Sequence, residues 1–281
     1  MLQYRLRAVP VLIFALNLTL KTMYTIAVAN QKGGVAKTTT ALSLAGAFTL
    51  LGRDILLVDL DPQADLTLAV GINPKSVRDS IADIFLGSRK LTSIIQETTV
   101  PGIDIIPSNS DMEMAERFLP IRERHELILK TVLQAAQMGA YDFVILDCPP
   151  ALGSATLNAL HASDMLIIPT QPEYFSAYAL RNMMPAIKRV RAHENPTLVY
   201  RILITMHDRR NRIHNNMREQ IRLTFGTGLL QTVIDVDTKL RESTLAGLPI
   251  THYSPKTRSA LQYLSLAEEL VQHVQAFARN S

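Results

Sequence analysis

One cysteine, Cys148, is all that 281 residues carry, so the chain has neither a disulfide framework nor a cysteine-cluster metal site. A small buried thiol is the expected state of such a residue. Tryptophan is absent and aromatic residues make up only 6%, which leaves little means of stacking the successive bases of a single strand. Internal repeats, low-complexity tracts and a linker are missing too. With 47% hydrophobic residues the chain can bury a substantial core, and one α/β domain is expected. Long apolar runs are also lacking. The stretch 8–20 follows Arg5 and Arg7 as in a signal peptide, but Pro10 and Asn17 interrupt it and no small-residue cleavage motif follows. It falls short of the ~20 apolar residues that a membrane-crossing helix requires.

Strand-like apolar runs are present near residues 26–30, 55–59, 103–107, 143–147, 165–169, 201–206 and 230–234. They alternate with amphipathic segments at 38–51, 111–118, 121–138, 176–193 and 213–225. Such alternation predicts a mainly parallel, twisted sheet with helices on both faces.

Chemistry concentrates at three of the strand ends. Residues 32–39 read Lys-Gly-Gly-Val-Ala-Lys-Thr-Thr, directly after the first apolar run and opening a helix-like stretch. In a P-loop, glycines let backbone N–H groups wrap phosphates, a lysine reaches the β/γ oxygens, and a Ser or Thr hydroxyl joins Mg²⁺. Lys37 and Thr38 fit the last two roles. Gln31 and Ala36 stand where the strict pattern has glycine, and Lys32 adds a second cation. Two further runs end in acids, one in Asp59-Leu-Asp61 and the other in Asp147-Cys-Pro-Pro150. In an open α/β sheet the carboxyl ends of parallel strands converge on the ligand, so these motifs meet there.

Together the motifs resemble the ParA/Soj branch of the deviant Walker A ATPases, a superfamily that includes MinD and the nitrogenase iron protein, from about Tyr24 to the C-terminus. The resemblance implies a P-loop NTPase-like fold and an ATP hydrolase of weak basal turnover that uses ATP and Mg²⁺. Nucleotide binding would fall to Lys32, Gly33, Gly34, Val35, Ala36, Lys37, Thr38 and Thr39. Lys37 would neutralise the β/γ-phosphates, Thr38 would ligate Mg²⁺, and Thr39 would bond the α-phosphate at the helix N-terminus. Asp147 would hold Mg²⁺ through water, Asp61 would position the attacking water, and Asp59 would support them. Lys32, the signature lysine, would cross a homodimer interface to the partner's phosphates. Met23 sits where members of the family usually start, so residues 1–22 are expected to be an N-terminal extension from an upstream start, and 23–281 the ATPase domain. A peripheral membrane or partner-binding segment is the alternative for 1–22.

Charge is uneven. Between Arg181 and Arg222 there are ten basic residues and three acids, so this stretch is +7 and the remainder −3 on a chain of net +4. Such a region can hold a phosphate backbone without reading sequence, but charge alone favours a solvated helix face. In the resembled family, basic residues at two places bind nonspecific double-stranded DNA. Arg210 and Lys239 occupy them here, with Arg209, Arg212, Arg218, Arg222 and Arg241 as neighbours. The family's Pro-Arg-Asn before the second place reads Asp235-Val-Asp237, which adds two acids and leaves the adenine-contacting wall unassigned.

The function implied is DNA partitioning by an ATP-bound dimer that coats the nucleoid in the cytoplasm and is released when a ParB-like partner stimulates hydrolysis. Two alternatives share the site: a positioning ATPase for another cargo, such as a protein compartment or chemoreceptor array, and an ATP-switched regulator with negligible turnover. Stable membrane association is not expected, since the C-terminal stripe Leu264, Ala267, Leu270, Val271, Val274 and Phe277 suits core packing and lacks a Lys/Arg-rich polar face. An iron–sulfur reductase would need paired cysteines.

Overall fold

The computed structural model describes residues 23–136 and 138–280. The 1–22 segment and its expected role lie outside them. In chain order the elements are β1 (Tyr24–Val28), α1 (Lys37–Leu50), β2 (Ile55–Asp59), α2 (Asp65–Ala69), α3 (Ile81–Leu86), β3 (Gln96–Glu97), β4 (Ile103–Ile106), α4 (Asp111–Phe118), α5 (Ile128–Ala135), β5 (Phe143–Asp147), α6 (Ser154–Ala162), β6 (Met165–Thr170), α7 (Tyr174–Ala192), β7 (Val199–His207), α8 (Arg212–Phe225), β8 (Leu229–Asp235), α9 (Lys239–Leu245), α10 (Ile250–Tyr253) and α11 (Arg258–Asn280).

The strands form one sheet in the order β3-β4-β2-β5-β1-β6-β7-β8. Every pairing is parallel except that of the two-residue edge strand β3 with β4. Side chains alternate across a strand, and here both faces are covered. Ala27, Leu56, Val58, Val144, Leu146, Leu166 and Ile168 enter one buried cluster with residues of α3 to α7. Their neighbours Ile26, Val28, Ile55, Leu57, Phe143, Ile145 and Ile167 enter the other, with α1 and α11. This double burial is why the strands read as unbroken apolar runs.

Helix α1 lies between the sheet and α11 and is buried on nearly every side from Lys37 to Phe48. Phe48 stacks on Phe143 at 4.2 Å between centroids, and the hydroxyls of Thr40 and Tyr263 meet at 3.2 Å. Gly46 is small for a packing reason: a Cβ there would sit 2.3 Å from Pro249 Cβ and 2.6 Å from Thr251 Oγ1.

Three expectations need correction. The helix expected over 121–138 shrinks to Ile128–Ala135, because Pro120 and a left-handed Arg124 break the preceding segment into 3₁₀ turns. Helix α6 escaped the periodicity reading because it is buried on several sides, including Ser154, Thr156, Asn158 and His161. On α11 the expected Ala267, Leu270, Val271 and Val274 are buried, with Tyr263 and Leu266 beside them, and only Leu264 departs, being half-buried.

Gly46→Ala should destabilise the fold by about 1–3 kcal/mol, the usual cost of overpacking. Urea denaturation measures it, and a variant as stable as the parent would contradict the close α1–α10 approach.

Candidate functional site

Register brings the sequence-predicted residues together. Asp59 at the end of β2 and Val28 at the end of β1 both pair with Asp147 at the end of β5. The segment after β1 turns over these carboxyl ends and enters α1 at Lys37. Ala36, at φ +66°, is the N-cap of α1 in left-handed geometry, so an alanine here holds the conformation for which the strict motif uses glycine. Gly34 also takes positive φ, at +70°. Asn30 pins the loop's entry: its Oδ1 accepts from Lys32 N at 3.0 Å, and its Nδ2 donates to the Pro169 carbonyl of β6 at 2.8 Å.

Around Asp147 the geometry is tight. Thr38 Oγ1 donates to Asp147 Oδ2 at 2.6 Å. The other oxygen, Oδ1, is buried without a hydrogen-bond partner. Burial first, and the nearby Asp59 charge second, raise the Asp147 carboxyl well above the ordinary range. Lys37 is 8% exposed, and burial lowers its ammonium against the opposing pull of Asp147. Asp59 is fully buried; its Oδ2 accepts from Thr67 N at 2.8 Å and Thr67 Oγ1 at 2.7 Å, and its Oδ1 from Asp61 N at 3.1 Å. Burial outweighs these bonds and pushes Asp59 up to about 7. Asp61 is raised as well, chiefly by burial. An orphaned carboxylate oxygen beside a threonine hydroxyl suits a hard divalent cation, so Thr38 and Asp147 fit Mg²⁺.

Beside the loop opens a cavity of about 360 Å³. Gly34, Ala36 and Thr39 line its end beside the loop, and Met206, Val236 and Leu240 give apolar wall. The sequence reading named no residue for such a wall. Met206 could have drawn notice only through its backbone, since φ of +52° is unusual for methionine and invisible in composition. Arg241 lines the same cavity and so belongs beside it rather than only on an outer surface. Thr205 Oγ1 donates to the Val35 carbonyl at 3.0 Å and ties β7 to the loop.

Lys32 points away from Lys37 toward the start of α7, where its Nζ donates to Glu173 Oε2 at 2.9 Å, Gln171 Oε1 at 3.1 Å and Ser176 Oγ at 3.1 Å. The basic residues divide into two groups. Arg210, 91% exposed, chelates Asp208, which is held at about 2 mainly by that hydrogen bonding. Lys239 pairs with Glu242 at 2.6 Å and Arg222 with Glu219 at 2.6 Å. Arg209 reaches the buried Asp235 at 2.8 Å, where His207, Gln262 and Arg258 also converge. Arg212 and Arg218 are exposed on α8 and form no ion pair among the described residues. The two acids at 235 and 237 are thus absorbed internally, Asp237 by Lys239 N and Ser259 Oγ. None of the described helices is long and apolar enough to cross a membrane.

Comparison with known proteins agrees with this geometry. A protein-family model described as an AAA domain matches residues 23–200. The chain is 38% identical over 246 residues to the sporulation initiation inhibitor protein Soj of Bacillus subtilis, covering 87% of this chain and 97% of that one. It is 35% identical over 248 residues to the chromosome partitioning protein ParA of Caulobacter vibrioides, covering 88% and 93%. Among solved structures, a Mycobacterium smegmatis protein described as cobyrinic acid a,c-diamide synthase, with bound ATP analog and magnesium, superposes with a TM-score of 0.81 at 33% identity, covering 90% of this chain and 95% of that one.

From about pH 4 to 7 the folded, nucleotide-free chain keeps a proton on Asp59 that the unfolded chain has released. Its stability should therefore fall as pH rises through that window. Asp59→Asn should flatten part of this slope in urea melts taken between pH 5 and 7.5, whereas an unchanged slope would show that Asp59 ionises normally.

Proposed function

The chain belongs to the ParA/Soj family of partitioning ATPases, and on that footing we propose that it binds ATP with Mg²⁺ at the end of β1, dimerises through the bound nucleotide, holds double-stranded DNA without sequence preference, and releases it when a ParB-like activator stimulates hydrolysis. One observation carries the reading: Thr38, Lys37 and Asp147 converge under a phosphate-sized loop, with one carboxylate oxygen left unsatisfied.

In this reading Lys37 holds the β/γ-phosphates, and the Gly33–Ala36 backbone with Thr39 cradles the rest. Mg²⁺, when bound by Thr38 and by Asp147 through water, neutralises charge on the transferring phosphoryl group. Asp61, at the mouth of the site, orients the attacking water, and Asp59 fixes the turn that presents it through its bond from Asp61 N. The base occupies the cavity between Ala36 and Met206. Lys32 serves the partner's nucleotide, supplying charge in trans as the phosphoryl group loosens.

For DNA, exposed Arg212 and Arg218 complement Arg210 and Lys239, which must trade Asp208 and Glu242 for phosphate. Arg209, Arg222 and Arg241 stand near them with secondary roles. Residues 23–281 make up the ATPase domain, with 1–22 as an extension, and the protein works in the cytoplasm on the nucleoid. A positioning role for another cargo would use the same site; a gene for a ParB-like protein found beside this one would favour DNA.

Lys37→Ala should abolish ATP binding, while Lys32→Ala should bind ATP as a monomer yet lose dimerisation and about a thousandfold or more in stimulated turnover, the scale of a trans cation. Asp61→Ala should accumulate an ATP-bound dimer. Titration of a fluorescent ATP analogue together with phosphate release checks all three; wild-type turnover in Asp61→Ala would remove its water-positioning role.

Charge reversal at Arg210 and Lys239 together should weaken DNA binding by the ATP-bound dimer while leaving ATP affinity unchanged. Wild-type affinity should fall steeply with added salt, as counterion release requires. Fluorescence anisotropy of a labelled duplex at several salt concentrations decides the point, a salt-independent affinity counting against DNA.

A further inference from the structure

His207 closes β7 and is enclosed between acceptors, with only 3% of its surface exposed. Its Nδ1 faces Asp235 Oδ1 at 3.2 Å and its Nε2 faces Asn215 Oδ1 at 3.1 Å. The Asn215 amide is fixed in that sense, because its Nδ2 donates to the Arg209 carbonyl at 3.1 Å. Asp235 is ionised: burial pulls its carboxyl up, but hydrogen bonds from Gln262, His207 and Arg209 outweigh burial and hold it below the ordinary range. A carboxylate and an amide oxygen only accept, so both ring nitrogens of His207 donate and the ring carries two protons. The neighbouring His214 differs. Its Nδ1 accepts from Asp208 N at 3.0 Å and is therefore bare, so this second ring, 6.1 Å from the first between centroids, brings no opposing charge.

Asp235 lines the cavity beside the phosphate loop together with Met206 and Val236. Val236 N donates to the His207 carbonyl at 3.1 Å, so backbone and ring both tie the end of β7 to the end of β8. Three cations answer the Asp235 carboxylate. Arg209 at 2.8 Å and Arg258 at 3.5 Å reach it with side chains 63% and 62% exposed, which solvent screens. His207 is the buried one. Without it the carboxylate, itself 3% exposed, would be left short of a partner and drawn toward water, and the nearest space is the cavity that it lines.

We propose that His207 is a positioning residue for the nucleotide base: as a buried imidazolium it keeps the Asp235 carboxylate turned from the cavity and holds Met206 and Val236 in place as apolar wall. The inference rests on the reading of this cavity as the base site and adds the group that keeps it apolar. Asp235 stands where the resembled family has proline, so the pair belongs to this chain's own departure from that pattern.

The test has two readouts. Nitrogen-15 spectra of histidine-labelled protein at neutral pH, with His207 identified by its loss in His207→Phe, should show a proton on both ring nitrogens. Calorimetry should compare Mg-ADP, which carries a base, with magnesium pyrophosphate, which does not; neither brings the triphosphate that drives dimerisation. His207→Phe keeps a flat ring and should weaken ADP by about tenfold or more, the worth of one hydrogen bond to a charged group, while leaving pyrophosphate unchanged. In an Asp235→Asn background, with the carboxylate gone, the same substitution should cost less.

A bare ring nitrogen on His207 in the parent protein would overturn the proposal whatever the variants do. So would unchanged ADP affinity in His207→Phe, an equal loss for pyrophosphate, or a loss undiminished by Asp235→Asn. A parent that binds ADP no tighter than pyrophosphate would overturn the base cavity, and the proposal with it, by a result separate from the others.

Discussion

Two carboxylates and an ammonium are forced close together at the end of a parallel sheet, in a place too dry to solvate all of them. The register of β1, β2 and β5 does this, setting Asp59 and Asp147 side by side with Lys37 above them. Neighbouring acids repel, and burial raises each of them. Thr67 and Asp61 N satisfy Asp59, but Asp147 keeps a bare oxygen. A polyphosphate with a divalent cation relieves both defects at once: the anion answers Lys37, and the cation answers Asp147. The site is electrostatically matched to a polyphosphate and a divalent cation, and the rest of the fold must hold these charged groups in place.

The packing explains how it holds. Helix α1 is wedged between sheet and α11, with Gly46 against Pro249 and Phe48 stacked on Phe143, so its N-terminus cannot retreat from the charges. Ala36 at the helix entrance holds a left-handed conformation that is costly for an alanine. From this packed part the loop reaches two neighbours: toward β7 and β8, where Met206 and Val236 line the cavity, and toward α7, where Glu173 accepts from Lys32.

Much of this was legible in the sequence because it follows from local rules. Runs such as Ile55–Asp59 and Phe143–Asp147 declare doubly covered strands, and an acid at each end marks the ligand edge. The Lys-Gly-Gly-Val-Ala-Lys-Thr-Thr loop states its phosphate chemistry outright. What escaped depends on tertiary placement. Helix α6 lacks a polar face, and Pro120 with Arg124 undid the long helix before β5. Met206, Gln171 and Glu173 carry no motif of their own; they matter because β6 and β7 end beside the loop, which only the strand order reveals. The acids at 235 and 237, which depart from the family's pattern, are each spent on internal partners, and only the fold shows it.

The account stands or falls on Lys32 reaching a nucleotide held by a second copy of the chain. The most direct measurement is the solution mass of the wild-type protein, by light scattering, with Mg²⁺ and a nonhydrolysable ATP analogue and again with ADP. Twice the protomer mass with the triphosphate alone is the result predicted. A single protomer under both conditions, with the analogue demonstrably bound, would contradict it.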